Sequence, residues 1–285
     1  MQSTSPEKVA LLKISDRLSL RYEKSGSGPP LLLLHTIRTQ LEYFRDLVPL
    51  LDSRFTVYAV DLPGHGRSPI DKSAKFDEPD MRKAVVGILQ ALDLRDVTLV
   101  GESIGAVLAL TAAAEVPDRI RAVYAINAYD YETRYGDGIR RGNWFSNLII
   151  GSLQIPIFGA IGASLEDRKI LRKVMGGGYA DPRKLPDDLL AEFDAAAHSP
   201  GYRVASRKVL SGWRSWSEAR KRYSAVKAPV TLIYGDKDWS RVSERDRTKT
   251  ALPNSRLFTL PATGHFSAVE NPRAVADVIL SGSPR

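Results

Sequence analysis

A serine stands between two glycines in the segment Gly101-Glu102-Ser103-Ile104-Gly105, which follows the apolar run VTLV and precedes the helical pattern IGAVLALTAAAE. Glycines on both sides permit a sharp turn from strand to helix, and such a turn presents the serine hydroxyl at a sheet edge. The amino end of the helix favours negative charge that develops there. The short motif recurs by chance, so its strand–turn–helix setting is what favours a nucleophile.

A nucleophilic serine needs a base, and the base needs a carboxylate that orients it. His265 follows the run RLFTL, and two carboxylates, Asp236 and Asp238, follow the run VTLIYG. If these runs are parallel strands, the side chains meet at the edge that holds Ser103, because such strands share one carboxyl edge. The chain order of serine, aspartate and histidine supports a triad.

The elements that must position these residues follow a rhythm of short apolar runs and longer amphipathic segments. Strands are predicted at Leu31–Leu34, Thr56–Val60, Val97–Val100, Ala122–Ile126, Val230–Tyr234 and Arg256–Leu260. Helices are predicted at Gln40–Leu51, Glu78–Leu92, Ile104–Glu115, Ser243–Leu252 and Pro272–Leu280. This alternation predicts an α/β fold with a mainly parallel central sheet and helices on both faces. Val9–Ile14 and Leu18–Tyr22 resemble an antiparallel hairpin at the sheet edge.

The strand rhythm stops after Ile126 and resumes only at Val230. The hundred residues between are helix-like and basic, with a run of three glycines at 176–178. We therefore expect a core domain of residues 1–127 and 229–285 and an inserted helical cap, or lid, of residues 128–228. Its flanks adjoin the carboxyl ends of two strands, where open α/β folds bind their ligands.

Five segments together resemble the α/β-hydrolase family with a serine nucleophile and a cap domain: GSGPPLLLLHT, DLPGHGRS, GESIG, YGDKD and ATGH. The resemblance covers roughly residues 18–127 and 229–281. It implies Ser103 as nucleophile and His265 as general base. The family's acid usually lies three residues past the glycine that ends its strand, which implies Asp238 ahead of Asp236. Asp130 is held in reserve, since some members take their acid from the preceding strand.

The same resemblance implies an oxyanion hole made by the backbone N–H groups of Ile37 and Ile104. The family usually has glycine after the histidine of this loop, whereas this chain has His35-Thr36. A threonine narrows the backbone conformations available there. We favour a packed surface threonine, with its hydroxyl as an extra substrate donor as the alternative.

Other polar residues have simpler interpretations. Arg38 follows the oxyanion loop and could bind a substrate carboxylate, although a solvated surface arginine is favoured. Glu102 is expected to be a hydrogen-bonding acid that is buried or at the rim. His35 and His65 are expected to be hydrogen-bonded scaffold residues, and His198 to end a helix.

Composition excludes several kinds of site. The 285 residues include no cysteine, which removes disulfides, zinc–thiolate sites, iron–sulfur clusters and a cysteine nucleophile. The four histidines form no HExxH pattern, and neither GxGxxG nor a P-loop is present. We therefore expect no metal and no cofactor.

Charge and hydropathy bear on partners and location. The net charge is +8, but basic residues alternate with acids and no nucleic-acid motif accompanies them, so no nucleic-acid partner is predicted. The amino-terminal segment has no apolar signal core, which predicts a cytoplasmic location. The apolar stretch Asn147–Ala163 is broken by glycine and proline and is shorter than the ~20 residues a membrane span needs. A homodimer is compatible with such a chain.

The leading hypothesis is a serine hydrolase that cleaves a small or medium acyl substrate, a carboxylic ester, lactone or thioester, through an acyl-enzyme. A carbon–carbon hydrolase of ring-fission diketones is the alternative that uses the same residues, and a carboxylate bound at Arg38 would favour it. A receptor or scaffold that keeps the fold is the alternative from another class. Haloalkane dehalogenase and epoxide hydrolase chemistry is disfavoured, because those relatives have aspartate where this chain has Ser103.

Overall fold

The structure is a computed structural model that describes residues 9–152 and 168–282. Its eight strands form one sheet in the order β1-β2-β4-β3-β5-β6-β7-β8. Strands β3 to β8 are parallel, while the hairpin β1–β2 joins β4 antiparallel. The predicted α/β fold with its edge hairpin is confirmed. The strands are β1 Val9–Lys13, β2 Ser19–Ser25, β3 Pro30–Leu34, β4 Thr56–Val60, β5 Val97–Glu102, β6 Ile120–Ile126, β7 Val230–Gly235 and β8 Arg256–Leu260.

The sheet centre is apolar because its strands are covered on both faces. All six residues of β5 are buried, and so are Leu31 to Leu34 of β3. Helix α3 (Ile104–Glu115) follows β5 after Ser103 and is buried on every side from Ile104 to Ala113, where alanines and one glycine allow close packing. This helix and the two strands form the rigid base from which the serine turn projects.

Twelve α-helices are described. They are α1 Val48–Leu51, α2 Glu78–Ala91, α3 Ile104–Glu115, α4 Asp137–Gly142, α5 Trp144–Ser152, α6 Arg168–Gly176, α7 Asp187–Ala197, α8 Tyr202–Ser211, α9 Trp213–Glu218, α10 Val242–Ala251, α11 Ser267–Glu270 and α12 Pro272–Ser281. Short 3₁₀ helices are Leu41–Phe44, Pro117–Arg119, Pro182–Lys184 and Ala219–Ala225.

One predicted helix is wrong. The segment Gln40–Leu51 forms the 3₁₀ turn Leu41–Phe44 and then the single turn α1, rather than one continuous helix. Pro49 stands in the first turn of α1. Proline has no N–H to donate to the preceding turn, so a helix can restart at this residue but cannot run through it.

Residues 127–229 join β6 to β7 and are called the β6–β7 connection. Their described part forms helices α4 to α9 and contains no strand. Of the apolar stretch Asn147–Ala163, residues 153–163 lie outside the described residues. Within the described ranges, no helix combines the length and the apolar character that crossing a membrane requires.

A buried carboxylate ties the edge hairpin to the loop after β4. Asp61 is fully buried and accepts hydrogen bonds from Arg21 Nε at 2.9 Å, from Leu41 N at 2.9 Å and from Arg67 N at 2.9 Å. Three segments are therefore held by one side chain. Burying a charge is costly unless it is paired and hydrogen-bonded, and both conditions are met here.

We predict that Asp61→Ala lowers the free energy of unfolding by about 2–4 kcal/mol, because it leaves two backbone N–H groups without their acceptor and removes one of the two carboxylates paired with Arg21, which keeps Glu42. Urea denaturation followed by circular dichroism measures the change. The matched control is Asp16→Ala, which removes an exposed ion pair with Lys13 and should change stability by less than about 1 kcal/mol. Equal losses in the two variants would contradict the prediction.

Candidate active site

The serine turn is a strained backbone held by close packing. Ser103 has φ 61° and ψ −118°, a left-handed conformation that costs free energy for a residue with a side chain. Its N–H donates to Ile126 O at 2.9 Å. A Cβ on Gly101 would lie 2.1 Å from Gly105 O, and a Cβ on Gly105 would lie 2.1 Å from Leu34 O. Both glycines are therefore required by space.

The three residues predicted as a triad lie in one hydrogen-bonded chain. His265 Nε2 lies 2.9 Å from Ser103 Oγ, and His265 Nδ1 lies 2.5 Å from Asp238 Oδ1. The side chains of His265 and Asp238 are fully buried. A carboxylate only accepts hydrogen bonds, so Nδ1 carries a proton, and in the neutral form of the imidazole the Nε2 lone pair faces the serine hydroxyl.

Asp238 remains an ionised carboxylate in spite of its burial. Burial alone would raise the pKa of Asp238. The His265 imidazole and the hydrogen bonds from Ser240 lower it by more, so the net pKa lies below the usual aspartate value. Ser240 N donates to Oδ2 at 2.9 Å, and the Ser240 hydroxyl also donates to Oδ2. This oxygen is therefore fixed, which leaves Oδ1 to orient the imidazole.

The two other candidate acids accept hydrogen bonds from residues other than His265. Asp236 is exposed and accepts from Thr263 N at 3.2 Å. Asp130 is buried and accepts from Thr248 Oγ1 at 2.9 and 3.0 Å, and burial raises its pKa to about 6. The carboxylate at His265 is therefore that of Asp238.

The loop after β3 packs against the serine turn. The carbonyls of Leu34 and His35 both lie against Gly105, so the next residues of this loop adjoin the start of α3. Ile37 is buried in the loop, and Ile104 is the first residue of α3, where a helix leaves its N–H groups without internal partners. Both proposed oxyanion donors thus belong to segments in mutual contact.

The structure corrects the interpretation of Thr36. This residue is fully buried, so the expected surface threonine is wrong. Its carbonyl accepts from His35 Nδ1 and from Thr39 Oγ1, both at 2.8 Å. Within the described part of the chain, the hydroxyl has no hydrogen-bond partner. The left-handed residue of the loop is Arg38, with φ 62°, so position 36 does not need glycine.

Arg38 is half-buried, and the expectation of a solvated surface residue is also wrong. It lies near His65, whose pKa is lowered to about 4 by burial and by the arginine charge. His65 Nδ1 donates to Pro63 O at 2.9 Å, and His35 Nε2 accepts from Leu62 N at 2.9 Å. Both histidines are hydrogen-bonded within the loops, as predicted.

His198 also behaves as predicted, since it caps the carboxyl end of α7.

Among the residues that the structure describes, no three histidine or acidic side chains are grouped so that they could hold a metal ion.

Comparison with known proteins supports the same fold. Residues 29–148 match the family model for the alpha/beta hydrolase fold. The 2-(acetamidomethylene)succinate hydrolase of Mesorhizobium japonicum is 29% identical over 262 residues, 88% of this chain and 86% of that protein. This chain has the α/β-hydrolase fold.

Two further proteins are also similar to this chain. Pimeloyl–acyl-carrier protein methyl ester esterase of Aeromonas hydrophila is 24% identical, over 92% of this chain and 98% of that protein. The solved structure of a meta-cleavage product hydrolase from Pseudomonas fluorescens IP01 has a TM-score of 0.77 at 16% identity. That match covers 96% of this chain and 98% of the other, and it shows a shared fold.

An aromatic shell that the sequence did not reveal surrounds the imidazole of His265. The Trp239 ring stacks on His265 with centroids 3.9 Å apart and planes 17° apart. Tyr129 and Phe266 meet the same ring edge-on at 5.9 and 5.5 Å. The one available signal was position, because Trp239 directly follows Asp238. These rings restrict rotation of the imidazole and keep water from its faces.

Glu102 is the buried hydrogen-bonding acid that the sequence suggested. Its carboxyl group accepts from Ser267 N at 2.6 Å, Ala268 N at 3.2 Å, Tyr43 Oη at 2.8 Å and Asn127 Nδ2 at 3.3 Å. Burial raises the pKa of Glu102 to about 8, and these four hydrogen bonds offset only part of that rise.

This raised pKa predicts a pH dependence of stability. An unfolded glutamate titrates near 4.5, so as the pH rises the unfolded chain loses this proton first. The contribution of Glu102 to the free energy of unfolding is therefore complete below about pH 4.5 and is lost by about pH 8, a change on the order of a few kcal/mol.

Urea denaturation of the wild type and of Glu102→Gln at pH 5 and pH 8 measures this effect. The variant lacks the titrating group, so the stability of the wild type relative to the variant should fall between the two pH values. All other titrating groups are shared and cancel in the comparison. A difference that stays constant with pH would contradict the assigned pKa.

Proposed function

We propose that this α/β hydrolase is a serine hydrolase that cleaves a small or medium acyl substrate, an ester, lactone or thioester, through an acyl-enzyme. The observation that carries the proposal is the chain from Ser103 Oγ to His265 Nε2 at 2.9 Å and from His265 Nδ1 to Asp238 at 2.5 Å. Serine is a weak nucleophile without an adjacent base, and this geometry supplies one.

In the proposed mechanism, Ser103 attacks the substrate carbonyl while His265 takes the hydroxyl proton. Asp238 holds the imidazole in the correct tautomer and stabilises the imidazolium that forms. The backbone N–H groups of Ile37 and Ile104 donate to the oxyanion. His265 then returns the proton to the leaving group, and water repeats the sequence to release the acid.

Two relatives support an acyl substrate. One is named for a 2-(acetamidomethylene)succinate and the other for a methyl ester, so both names contain an acyl carbonyl. Arg38 is the cation on the proposed oxyanion loop, and a substrate carboxylate bound there would favour the second candidate, cleavage of a carbon–carbon bond. The buried hydroxyl of Thr36 is a second candidate donor to substrate oxygen.

We further propose that the β6–β7 connection acts as a cap over the site. Its backbone already contacts the site, since Gly177 O accepts from Trp239 Nε1 at 2.9 Å and Gly178 O accepts from His265 N at 2.6 Å. A cap would exclude water from the acyl-enzyme and shape the acyl pocket.

Cleavage of a carbon–carbon bond in a ring-fission diketone is the second candidate, and it would use the same serine, base and oxyanion donors. The fold shared with a meta-cleavage product hydrolase supports it. A panel of p-nitrophenyl esters of increasing chain length, assayed beside a ring-fission diketone, distinguishes the two reactions by which substrate has the larger kcat/KM.

We predict that a fluorophosphonate labels Ser103 and that Ser103→Ala abolishes both labelling and ester hydrolysis. Labelling requires the base and oxyanion hole to be assembled around the hydroxyl. Mass spectrometry of the labelled peptide and steady-state kinetics provide the measurements. If wild type and Ser103→Ala turn over the esters and the diketone equally, the hydrolase proposal fails and a receptor or scaffold takes its place.

We also predict that Asp238→Asn lowers kcat by a factor on the order of 10³ to 10⁴, because the amide favours the wrong imidazole tautomer. Asp236→Asn is the matched control. It changes an exposed carboxylate two residues away and should alter kcat by less than about threefold. A reversed order of the two effects would refute the assignment of the acid.

A further inference from the structure

A carboxylate outside the proposed triad joins two distant segments beside the base. Glu270 ends α11 and is buried, with 7% of its surface exposed. Its Oε2 accepts from Gly264 N at 2.7 Å and from Ala180 N at 3.1 Å, and its Oε1 accepts from Asp181 N at 2.9 Å. One side chain thus binds the residue before His265 and two residues of the β6–β7 connection.

The segment that Glu270 binds, residues 177–181, is called here the glycine loop. It also contacts the histidine directly, because His265 N donates to Gly178 O at 2.6 Å. The Trp239 ring that stacks on His265 donates to Gly177 O at 2.9 Å. The backbone N–H groups of two successive residues are therefore both fixed. Glu270 accepts from Gly264, and the glycine loop accepts from His265.

Space at the contact explains part of the glycine run in the sequence. A Cβ on Gly178 would lie 2.4 Å from Phe266 Cε2 and 2.8 Å from Trp239 Cζ2. A side chain there would separate the glycine loop from both rings beside the imidazole. The run is therefore adapted to close approach rather than to a free turn.

We infer that Glu270 is a positioning residue for His265. It holds the glycine loop against the loop that carries His265, and through this contact the β6–β7 connection helps to fix the position of the base. This inference rests on the proposed function only for its kinetic consequence. A displacement of about 1 Å in a reacting group can lower a rate by about 10²-fold. The connection then contributes to the chemical step as well as to substrate recognition.

The test compares Glu270→Gln with Glu78→Gln. Glutamine keeps one acceptor oxygen but presents an NH₂ group to at least one of the three backbone donors. Glu78 is equally buried, but its carboxylate binds Arg82 within α2. The control therefore reports what the loss of a buried carboxylate does to stability alone.

With p-nitrophenyl acetate, an ester too small to need the β6–β7 connection for recognition, we expect kcat of Glu270→Gln to fall about 10- to 100-fold. KM should change less than about threefold, and Glu78→Gln should keep the wild-type kcat. A lower melting temperature with an unchanged kcat in Glu270→Gln would overturn the inference, because that result indicates a purely structural role.

A second readout does not depend on turnover. The Nδ1 proton between His265 and Asp238 gives a low-field proton resonance in NMR spectra, and it should shift or broaden in Glu270→Gln but not in Glu78→Gln. An unchanged resonance overturns the inference even if the wild type hydrolyses nothing. A wild type without turnover whose resonance is still altered by Glu270→Gln supports the positioning role and refutes the proposed function alone.

If Glu270→Gln fails to fold, Gly178→Ala tests the same contact from the opposite side. Its Cβ would press on Phe266 and Trp239, so the resonance should change here too. An unaltered resonance in a folded Gly178→Ala would overturn the inference.

Discussion

The side chain of Asn127 is the interaction on which the site geometry depends. This fully buried residue follows β6 in a left-handed conformation with φ 47°. Its Oδ1 accepts from Gly235 N at 2.9 Å, at the end of the strand that leads to Asp238. Its Nδ2 donates to His265 O at 2.9 Å and to Glu102 at 3.3 Å. One amide therefore joins the three loops that carry the acid, the base and the serine. Each loop alone has many conformations, and this shared partner restricts all three together.

Most of the fold could be predicted from the sequence because it depends on local pattern, and the same pattern made Ser103 and His265 candidates. The preference for Asp238 over Asp236 came from the family resemblance. Apolar runs fixed the strands, and parallel strands bring their carboxyl ends to one edge, which places Ser103, Asp238 and His265 together. The failures have physical causes that act at longer range. Pro49 divided a helix that periodicity alone had extended. Thr36 is fully buried, which the polarity of its side chain does not indicate.

The partners of the buried carboxylates could not be predicted in the same way. Glu102 binds residues of α11 that are 165 and 166 positions later, and Glu270 binds the glycine loop about 90 positions earlier. A sequence shows an acid but not the backbone N–H groups that will satisfy it. Burial imposes that requirement on every such acid, since an unpaired charge in the interior is costly.

The environments of two carboxyl groups near the serine turn push their pKa values in opposite directions. Asp238 has a lowered pKa and stays charged, whereas burial raises the pKa of Glu102 to about 8. The Tyr43 hydroxyl can both donate and accept, so it can pair with either form of Glu102. Near neutral pH, the neutral form therefore predominates behind the serine turn.

This difference suits the proposed mechanism. A second anion beside Ser103 would oppose the negative charge that develops on the substrate oxygen, whereas an anion at Asp238 stabilises the imidazolium. Two acids with separated pKa values can then take separate roles. Asp238 is the charged partner of the base, and Glu102 in its neutral form holds the segment that follows His265 by hydrogen bonds.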